Sequence, residues 1–190
     1  MGILNRLRRA APPSSGGDAA SRLSVPGADV TVRVVEDSGT FVGHDGSEWW
    51  SNGYTPIIDD ADGGWHYATQ VEHVTSDPRA RYGKVAGARF RPEALQDGRF
   101  ALGSAVMLRL EPDNPHGDGH AVGVWDGTGS IQLACIPHDL SVEITNRIRS
   151  SEQLAGYVLR EFRRGSKTAP RSAIHILVLP IGELRLDIAE

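Results

Sequence analysis

The stretch EPDNPHGDGHAVGVWD, residues 111–126, separates two apolar segments and does not have the composition of a simple turn. Its first ten residues include two prolines, three acids, two histidines and two glycines. Pro112 and Pro115 restrict the backbone, which reduces the entropy that ordering this loop would cost. We interpret the stretch as a stiff loop that holds a ligand between two strands; a long hairpin loop without a ligand is the alternative.

The segments around this loop predict a mainly β fold. Residues 154–164 fit either a strand or a helix, and residues 165–170 fit a hairpin tip. One helix is predicted over residues 139–149, because apolar residues recur every fourth position from Leu140. Many strands with one or two helices are typical of a small β-barrel. The segments predicted as strands, which are short and rich in β-branched or apolar residues, are 30–35, 85–90, 105–110, 121–125, 130–134 and 173–179.

Composition divides the chain into three parts. Residues 1–26 are predicted to be a disordered tail, basic and rich in Pro, Gly and Ser, since they hold too little apolar surface to offset the entropy of ordering. Residues 27–78 are predicted to be an acidic, tryptophan-rich β segment, because nine acids and no Lys or Arg occur between residues 36 and 78. Residues 79–190 are predicted to be the barrel domain and to fold without the preceding segment.

Charge and cysteine content exclude several classes of protein. The net charge of -4 argues against a protein that is basic over its whole surface. Residues 79–109 and 147–171 are nonetheless locally basic, which indicates polyanion binding, although a solvated surface would give the same pattern. The single cysteine, Cys135, excludes an internal disulfide and a multi-cysteine zinc site. No apolar run reaches the ~20 residues of a membrane span, so we expect a cytoplasmic protein without membrane contact.

The segments on both sides of the loop resemble the HIRAN domain family. The resemblance covers about residues 84–180. It implies an OB-like β-barrel with one or two helices that binds single-stranded DNA at a free 3′ end, with RNA as the alternative ligand. The matching segments, which correspond to a V-x-G-x-x-aromatic stretch, an acid-Pro-x-Asn-Pro loop and an Ala-Val-x-Val strand, are Val85-Ala86-Gly87-Ala88-Arg89-Phe90, Glu111-Pro112-Asp113-Asn114-Pro115 and Ala121-Val122-Gly123-Val124.

The resemblance also implies which residues would contact the DNA. Asp118, displaced by one residue from the family position, would accept a hydrogen bond from the 3′-hydroxyl, and His116 stands where the family has an aromatic ring. Two further residues have competing interpretations, since Phe90 also fits a core position and Arg89 also fits a solvated surface. The full set of expected contacts is Arg89, Phe90, Asn114, His116, Asp118, His138, Phe162 and Arg163.

A second function, from a different class, is also open from the sequence. The acidic stretch 36–78 fits a contact surface for a partner protein, in which case the barrel would be a scaffold without affinity for DNA. A basic groove lined by the expected contact residues would favour nucleic acid, whereas an acidic segment packed over that groove would favour the scaffold. No catalytic set or metal-ligand spacing can be placed in the sequence, so neither catalysis, a cofactor nor a metal ion is expected.

Overall fold

The fold is built mainly from β-strands. The structure, a computed structural model, describes residues 30–59, 61–68, 73–74, 77–116, 118–180 and 184–189. The α-helices of this part are α1, Pro92–Gln96, and α2, His138–Arg149, and 3-10 turns cover Ala88–Phe90 and Gly98–Phe100. Neither α-helix described has the length and apolarity that crossing a membrane requires. The strands β1 to β12 are, in chain order, Val30–Glu36, Gly39–Val42, Glu48–Asp59, Trp65–Tyr67, His73–Val74, Asp77–Lys84, Ala105–Leu110, Val122–Asp126, Gln132–Cys135, Leu154–Arg164, Arg171–Pro180 and Leu184–Ile188.

The strands pair into one branched sheet. Its main path runs β12-β1-β3-β10-β11-β6-β5, and β10 also carries the branch β7-β8-β9. The two paths meet again at an isolated antiparallel bridge, where Ala86 and Cys135 exchange backbone hydrogen bonds of 2.8 and 2.9 Å. The paired ladders therefore do not close into a continuous barrel, and this bridge joins β9 to the chain just after β6. We call β6 to β11 together the partial barrel.

The partial barrel surrounds the larger of two hydrophobic cores. Phe100, Leu133 and Ile174 are fully buried in it, and α2 adds Leu140 and Ile144 from one face. Burying a side chain of this size contributes about 1.5–3 kcal/mol. Because helix and strands share this core, the start of α2 is held in a fixed position relative to the end of β6.

The acidic segment packs on the partial barrel through a second core. Residues 49–53 of β3 pair antiparallel with residues 160–164 of β10. The valines of β1 are buried with side chains of β6, β10 and β11 in this core. Gly53, with a φ of 133°, allows the close approach, because a Cβ there would collide with the carbonyl oxygen of Leu159.

Arg160 joins the acidic segment to the partial barrel by polar contacts. Its guanidinium forms an ion pair with Asp37 at 2.7 Å. It also donates to the hydroxyls of Ser51 and Thr55, each at 3.0 Å. Strands of the two parts of the chain are therefore connected by a shared ladder, a shared core and a partly buried charge.

A buried histidine lies close to this ion pair. His175 Nδ1 is 3.0 Å from the hydroxyl oxygen of Tyr82. Burial first, and then the positive charges of Arg160 and Lys84, lower the pKa of His175 to about 3. The ring is therefore neutral near pH 7 and belongs to the packed interior.

The sequence predicted the fold class and most elements correctly. The structure is mainly β with two α-helices in its described part, and the helix predicted over residues 139–149 is α2. Residues 154–164 form a strand, which pairs with β11 across the hairpin predicted at residues 165–170. The tail predicted over residues 1–26 lies outside the described residues. The predicted boundary at residue 79 falls inside β6, and independent folding of residues 79–190 stays a prediction.

The strand predicted over residues 85–90 is wrong. β6 ends at Lys84, and Ala88–Phe90 forms a 3-10 turn. Gly87 before it has a φ of 80°, a left-handed conformation that glycine adopts readily and that ends an extended run. The turn changes the direction of the chain and carries the next side chains out of the sheet.

Candidate nucleic-acid interface

The turn after β6 presents an aromatic ring to solvent. Phe90 is 72% exposed, so the alternative interpretation of this residue as core does not hold. The guanidinium carbon of Arg89 lies 4.7 Å from the centroid of the Phe90 ring. An exposed aromatic ring beside a cation offers a face on which a base can stack and a charge that attracts a phosphate.

Two pockets lie on either side of Phe90. Ala86, Gly87 and Phe90 line both, and we call the two together the groove. The loop pocket, of about 340 Å³, is further lined by Arg91, Asn114, His116, Ala121, Cys135, Ile136, His138 and Ser141. The lysine pocket, of about 400 Å³, is further lined by Lys84, Val85, Ala88, Arg89, Pro137, Ser172 and Ala173.

The proline-rich loop is held in place by its own side chains. Asn114 Nδ2 donates to a carboxylate oxygen of Glu111 at 3.0 Å, and Asn114 Oδ1 accepts from the backbone N–H of His116 at 3.0 Å. Gln132 also donates to the Glu111 carboxylate and accepts from Arg91 at 2.7 Å. The Asn114 amide is thus engaged within the loop, where it holds the backbone of His116.

The Glu111 carboxylate also lies beside the single cysteine. Cys135 Sγ is 3.8 Å from Glu111 Oε2. Burial first, and then the charge of Glu111, raise the pKa of the Cys135 thiol above its usual range, because a nearby anion disfavours the thiolate. The thiol is therefore protonated near neutral pH, which does not suit a nucleophile.

We expect Glu111→Gln to lower the pH midpoint for alkylation of Cys135. The substitution removes an unfavourable charge from the thiolate but leaves the contribution of burial, so the midpoint should move only part of the way to that of an exposed cysteine. The rate of iodoacetamide modification against pH measures this directly, because the chain has one cysteine. Glu48→Gln on β3 is the matched control; if both variants keep the original midpoint, the contact between Glu111 and Cys135 is absent.

The first turn of α2 borders the groove. His138, its first residue, lines the loop pocket, and Pro137 lines the lysine pocket. No side chain among the described residues caps the start of this helix at the N-cap position, Pro137. The backbone N–H groups at a helix start carry a partial positive charge that favours anions such as phosphate.

Three of the predicted contact residues do not line the groove. Phe162 packs against His175 with ring centroids 4.7 Å apart, and Arg163 forms an ion pair with Glu161 at 3.0 Å. Asp118 is exposed on the loop with a φ of 44°. The predicted residues that line the groove are Arg89, Phe90, Asn114, His116 and His138.

The sequence has two basic runs, residues 79–109 and 147–171, and they differ in which of their cations form ion pairs with acids. Lys84 and Arg89 of the first run are exposed and line the lysine pocket, and neither forms an ion pair within the described part of the chain. Other arginines of the first run do form ion pairs, Arg81 with Glu143 at 2.8 Å and Arg99 with Asp97 at 2.9 Å, so the cations that this run presents at the lysine pocket are Lys84 and Arg89. The arginines of the second run that form ion pairs with acids are Arg147, Arg160, Arg163, Arg164 and Arg171.

The groove lining includes polar residues that were not among the predicted contacts, and Lys84 and Ser172 are two of them. They come together because β6 pairs with β11, where Lys84 stands opposite His175. No local pattern in the sequence indicates this pairing. The role of Glu111 in holding Asn114 was also missed, although the three-residue spacing between them is compatible with a side-chain contact across a turn.

The acidic segment does not cover the groove in the part of the chain that the structure describes. The residues that line the two pockets all belong to ranges 84–91, 114–141 and 172–173. Acids of the segment instead pair with arginines elsewhere, as Asp37 does with Arg160 at 2.7 Å and Asp45 with Arg164 at 3.8 Å. Within the described ranges no three His, Cys, Asp or Glu side chains are grouped to hold a metal ion.

Comparison with known proteins gives one structural likeness. No family model matches the chain, and no curated protein matches it. The crystal structure of the HIRAN domain of human HLTF matches with a TM-score of 0.38 and 22% identity, covering 52% of this chain and 74% of that chain. A likeness at this level does not assign the chain to a family, and the HIRAN interpretation continues to rest on the sequence motifs.

Proposed function

We propose that the chain is a nucleic-acid-binding module whose groove holds the end of a single strand of DNA, with RNA as the alternative ligand. The observation that carries the proposal is the Phe90 ring, exposed between two pockets and accompanied by Arg89. The proposal is supported by the HIRAN-like motifs, since each of the three motifs contributes at least one residue to the groove lining.

The chemistry of the groove suits an unpaired nucleotide. A base can reach the face of the Phe90 ring only when it is not stacked inside a duplex, and stacking of this kind contributes ~1–3 kcal/mol per base. Arg89 and the first turn of α2 would meet the phosphates that flank such a base. His116 and His138 offer ring nitrogens in the loop pocket for hydrogen bonds to the sugar or the base edge.

Fluorescence anisotropy with the full chain tests this proposal. The oligonucleotides are a labelled single strand with a 3′-hydroxyl, the same strand with a 3′-phosphate, and a blunt duplex of equal length. We expect the single strand with a 3′-hydroxyl to bind most tightly, and the affinity to fall as salt rises because phosphate neutralisation releases counterions. Absence of binding to all three at low salt would overturn the proposal.

Asp118 does not line the groove, but it lies on the proline-rich loop that contributes Asn114 and His116 to the loop pocket, and we propose that a strand end in this pocket can reach it. Asp118→Asn should then reduce the preference for a 3′-hydroxyl over a 3′-phosphate. The carboxylate can accept a hydrogen bond from the hydroxyl and repels the phosphate, whereas the amide has no charge. Asparagine also tolerates the left-handed backbone at this position, so the loop should keep its shape. The ratio of the two dissociation constants is the measurement, and Asp113→Asn, an exposed acid of the same loop, is the control. Equal ratios in the wild-type chain and Asp118→Asn would remove Asp118 from the site.

Protein binding through the acidic segment is a second candidate function. The observation that favours it is a set of exposed apolar side chains on β2 and β4, namely Phe41, Val42, Trp65 and Tyr67. Exposed aromatic residues on strands at the margin of a sheet are typical of recognition surfaces. This surface and the groove share no residue, so substitutions on β4 should leave DNA binding unchanged.

A further inference from the structure

The lysine pocket has the chemistry of an anion-binding site and is not part of the loop that the sequence motifs identify. Lys84 and Arg89 are both exposed at its wall, and no acidic side chain lines it. Ser172 adds a hydroxyl that can donate a hydrogen bond. Two cations and a hydroxyl without a paired carboxylate fit one phosphate group or two successive ones.

The lysine pocket and the loop pocket share part of their lining, namely Ala86, Gly87 and Phe90. At Gly87 a Cβ would approach only Phe90 Cδ2, at 4.0 Å, so the space beside this residue is open. A ligand stacked on Phe90 would therefore have room to reach both pockets.

Lys84, like Arg89, keeps its charge available for a ligand, whereas Arg81 and Arg91 contact other side chains. Arg81 is committed to Glu143 at 2.8 Å, and Arg91 donates to Gln132 at 2.7 Å. The ammonium of Lys84 forms no ion pair with the residues that the structure describes. The charge that it adds at this end of the groove is therefore open to an anion from solution.

We propose that the lysine pocket is a second nucleotide subsite, in which Lys84 and Arg89 bind the phosphodiester that precedes the nucleotide held in the loop pocket. This inference rests on the proposed function of the same groove. It implies that the smallest unit recognised with full affinity is a dinucleotide, and that the strand runs from the loop pocket past Phe90 to Lys84. The position of Lys84 thus sets the direction of the strand in the groove.

The second lysine of the chain provides a matched control for this subsite. The sequence contains two lysines, Lys84 and Lys167. Lys167 is exposed in the hairpin between β10 and β11 and does not line the groove. Lys84→Ala and Lys167→Ala therefore remove the same charge from an exposed site, inside and outside the proposed subsite.

The test is a competition titration in which unlabelled ligands displace a labelled oligothymidine from the full chain. The competitors are thymidine, which has no phosphate, the dinucleoside monophosphate dTpdT, whose one phosphodiester precedes the 3′ nucleoside, and inorganic phosphate. We expect dTpdT to compete about tenfold better than thymidine in the wild-type chain and in Lys167→Ala, and this advantage to be largely lost in Lys84→Ala. The slope of log K against log salt for the oligothymidine should also fall by about 0.7 in Lys84→Ala, as expected for one lost phosphate contact on a single strand.

The outcomes separate this inference from the proposed function. If the wild-type chain binds no oligothymidine at low salt, the proposed function fails and the subsite with it. If oligothymidine binds but dTpdT competes no better than thymidine, or Lys84→Ala behaves as Lys167→Ala does, the subsite is overturned and the proposed function stands. Competition by inorganic phosphate equal to that of dTpdT would also overturn it, because the pocket would then be a simple anion site.

Discussion

A chain that begins at Asp77, which the sequence alone predicts to fold without the preceding segment, should instead lose the cooperative unfolding transition of the full chain. The deletion removes β1 to β5, which takes away the ladder partner of residues 160–164 and the buried valines of the second core. Burial of each such side chain contributes ~1.5–3 kcal/mol, whereas the net stability of a small domain is ~5–15 kcal/mol. The losses are therefore comparable with the entire stability of the remaining domain.

The same deletion would leave a partly buried charge without its partners. The side chain of Arg160 is 13% exposed, and the deletion removes its ion pair with Asp37 and its hydrogen bonds to Ser51 and Thr55. Removing one partner of a buried ion pair typically costs ~3–5 kcal/mol. Exposure of the β10 edge would in addition favour aggregation, because its backbone groups would have no strand to pair with.

Thermal unfolding followed by circular dichroism compares the shortened chain with the full one. Gly53→Ala tests the same contact between β3 and β10 without a deletion, since its Cβ would meet the Leu159 carbonyl. Gly39→Ala, where a Cβ meets no atom within 4 Å, is the control. A shortened chain that unfolds cooperatively near the temperature of the full chain would contradict this expectation and support the boundary predicted at residue 79.

Local pattern was sufficient to predict many of the elements but not their pairing. The helix α2 was predicted because Leu140 and Ile144 recur on one face, and β7 because residues 105–108 are continuously apolar. The pairing of β3 with β10 joins residues more than a hundred positions apart, as in the contact of Arg160 with Ser51. Neither segment alone has a sequence pattern that identifies the other as its strand partner. The acidic segment was therefore predicted to be separate from the barrel domain.

Only part of the groove was predicted, because local sequence patterns do not reveal which distant segments meet. Arg89, Phe90, Asn114 and His138 belong to motifs with recognisable spacing, and they line connected pockets. The segment 85–90 was mistaken for a strand because Gly87 lies in an apolar run, and only its left-handed backbone shows that the chain turns there. The resemblance to the HIRAN family also implied Phe162 and Arg163 as contacts. In the structure, however, Phe162 packs against His175 and Arg163 forms an ion pair with Glu161.

Phe90→Ala should weaken the binding of single-stranded DNA by about 1–3 kcal/mol, or about 5- to 150-fold. The ring is 72% exposed, so its loss removes a stacking surface and creates no cavity in the core. Folding stability should therefore stay within about 0.5 kcal/mol of the wild-type value. The loss should depend little on base sequence, because every base presents an aromatic face.

Anisotropy titrations of a labelled single strand measure this effect, with thermal unfolding of the same samples as the check on folding. Tyr67→Ala on β4 is the matched control, since Tyr67 is 52% exposed and lies outside the groove. We expect this control to bind as the wild-type chain does. If both substitutions weaken binding equally, the loss of affinity follows from removing any exposed aromatic side chain, and a specific stacking contact with Phe90 is excluded.

Photo-crosslinking tests most directly whether the groove is where the single strand lies. A strand carrying 5-iodouracil at its 3′ end is irradiated in complex with the full chain, and the modified peptide is mapped by mass spectrometry. The groove places the terminal base against Phe90 or the loop pocket, so the adduct should fall within residues 86–91, 114–116 or 137–138. Adducts confined to residues 36–67, with the groove peptides unmodified, would contradict the account and place the strand on the acidic segment instead.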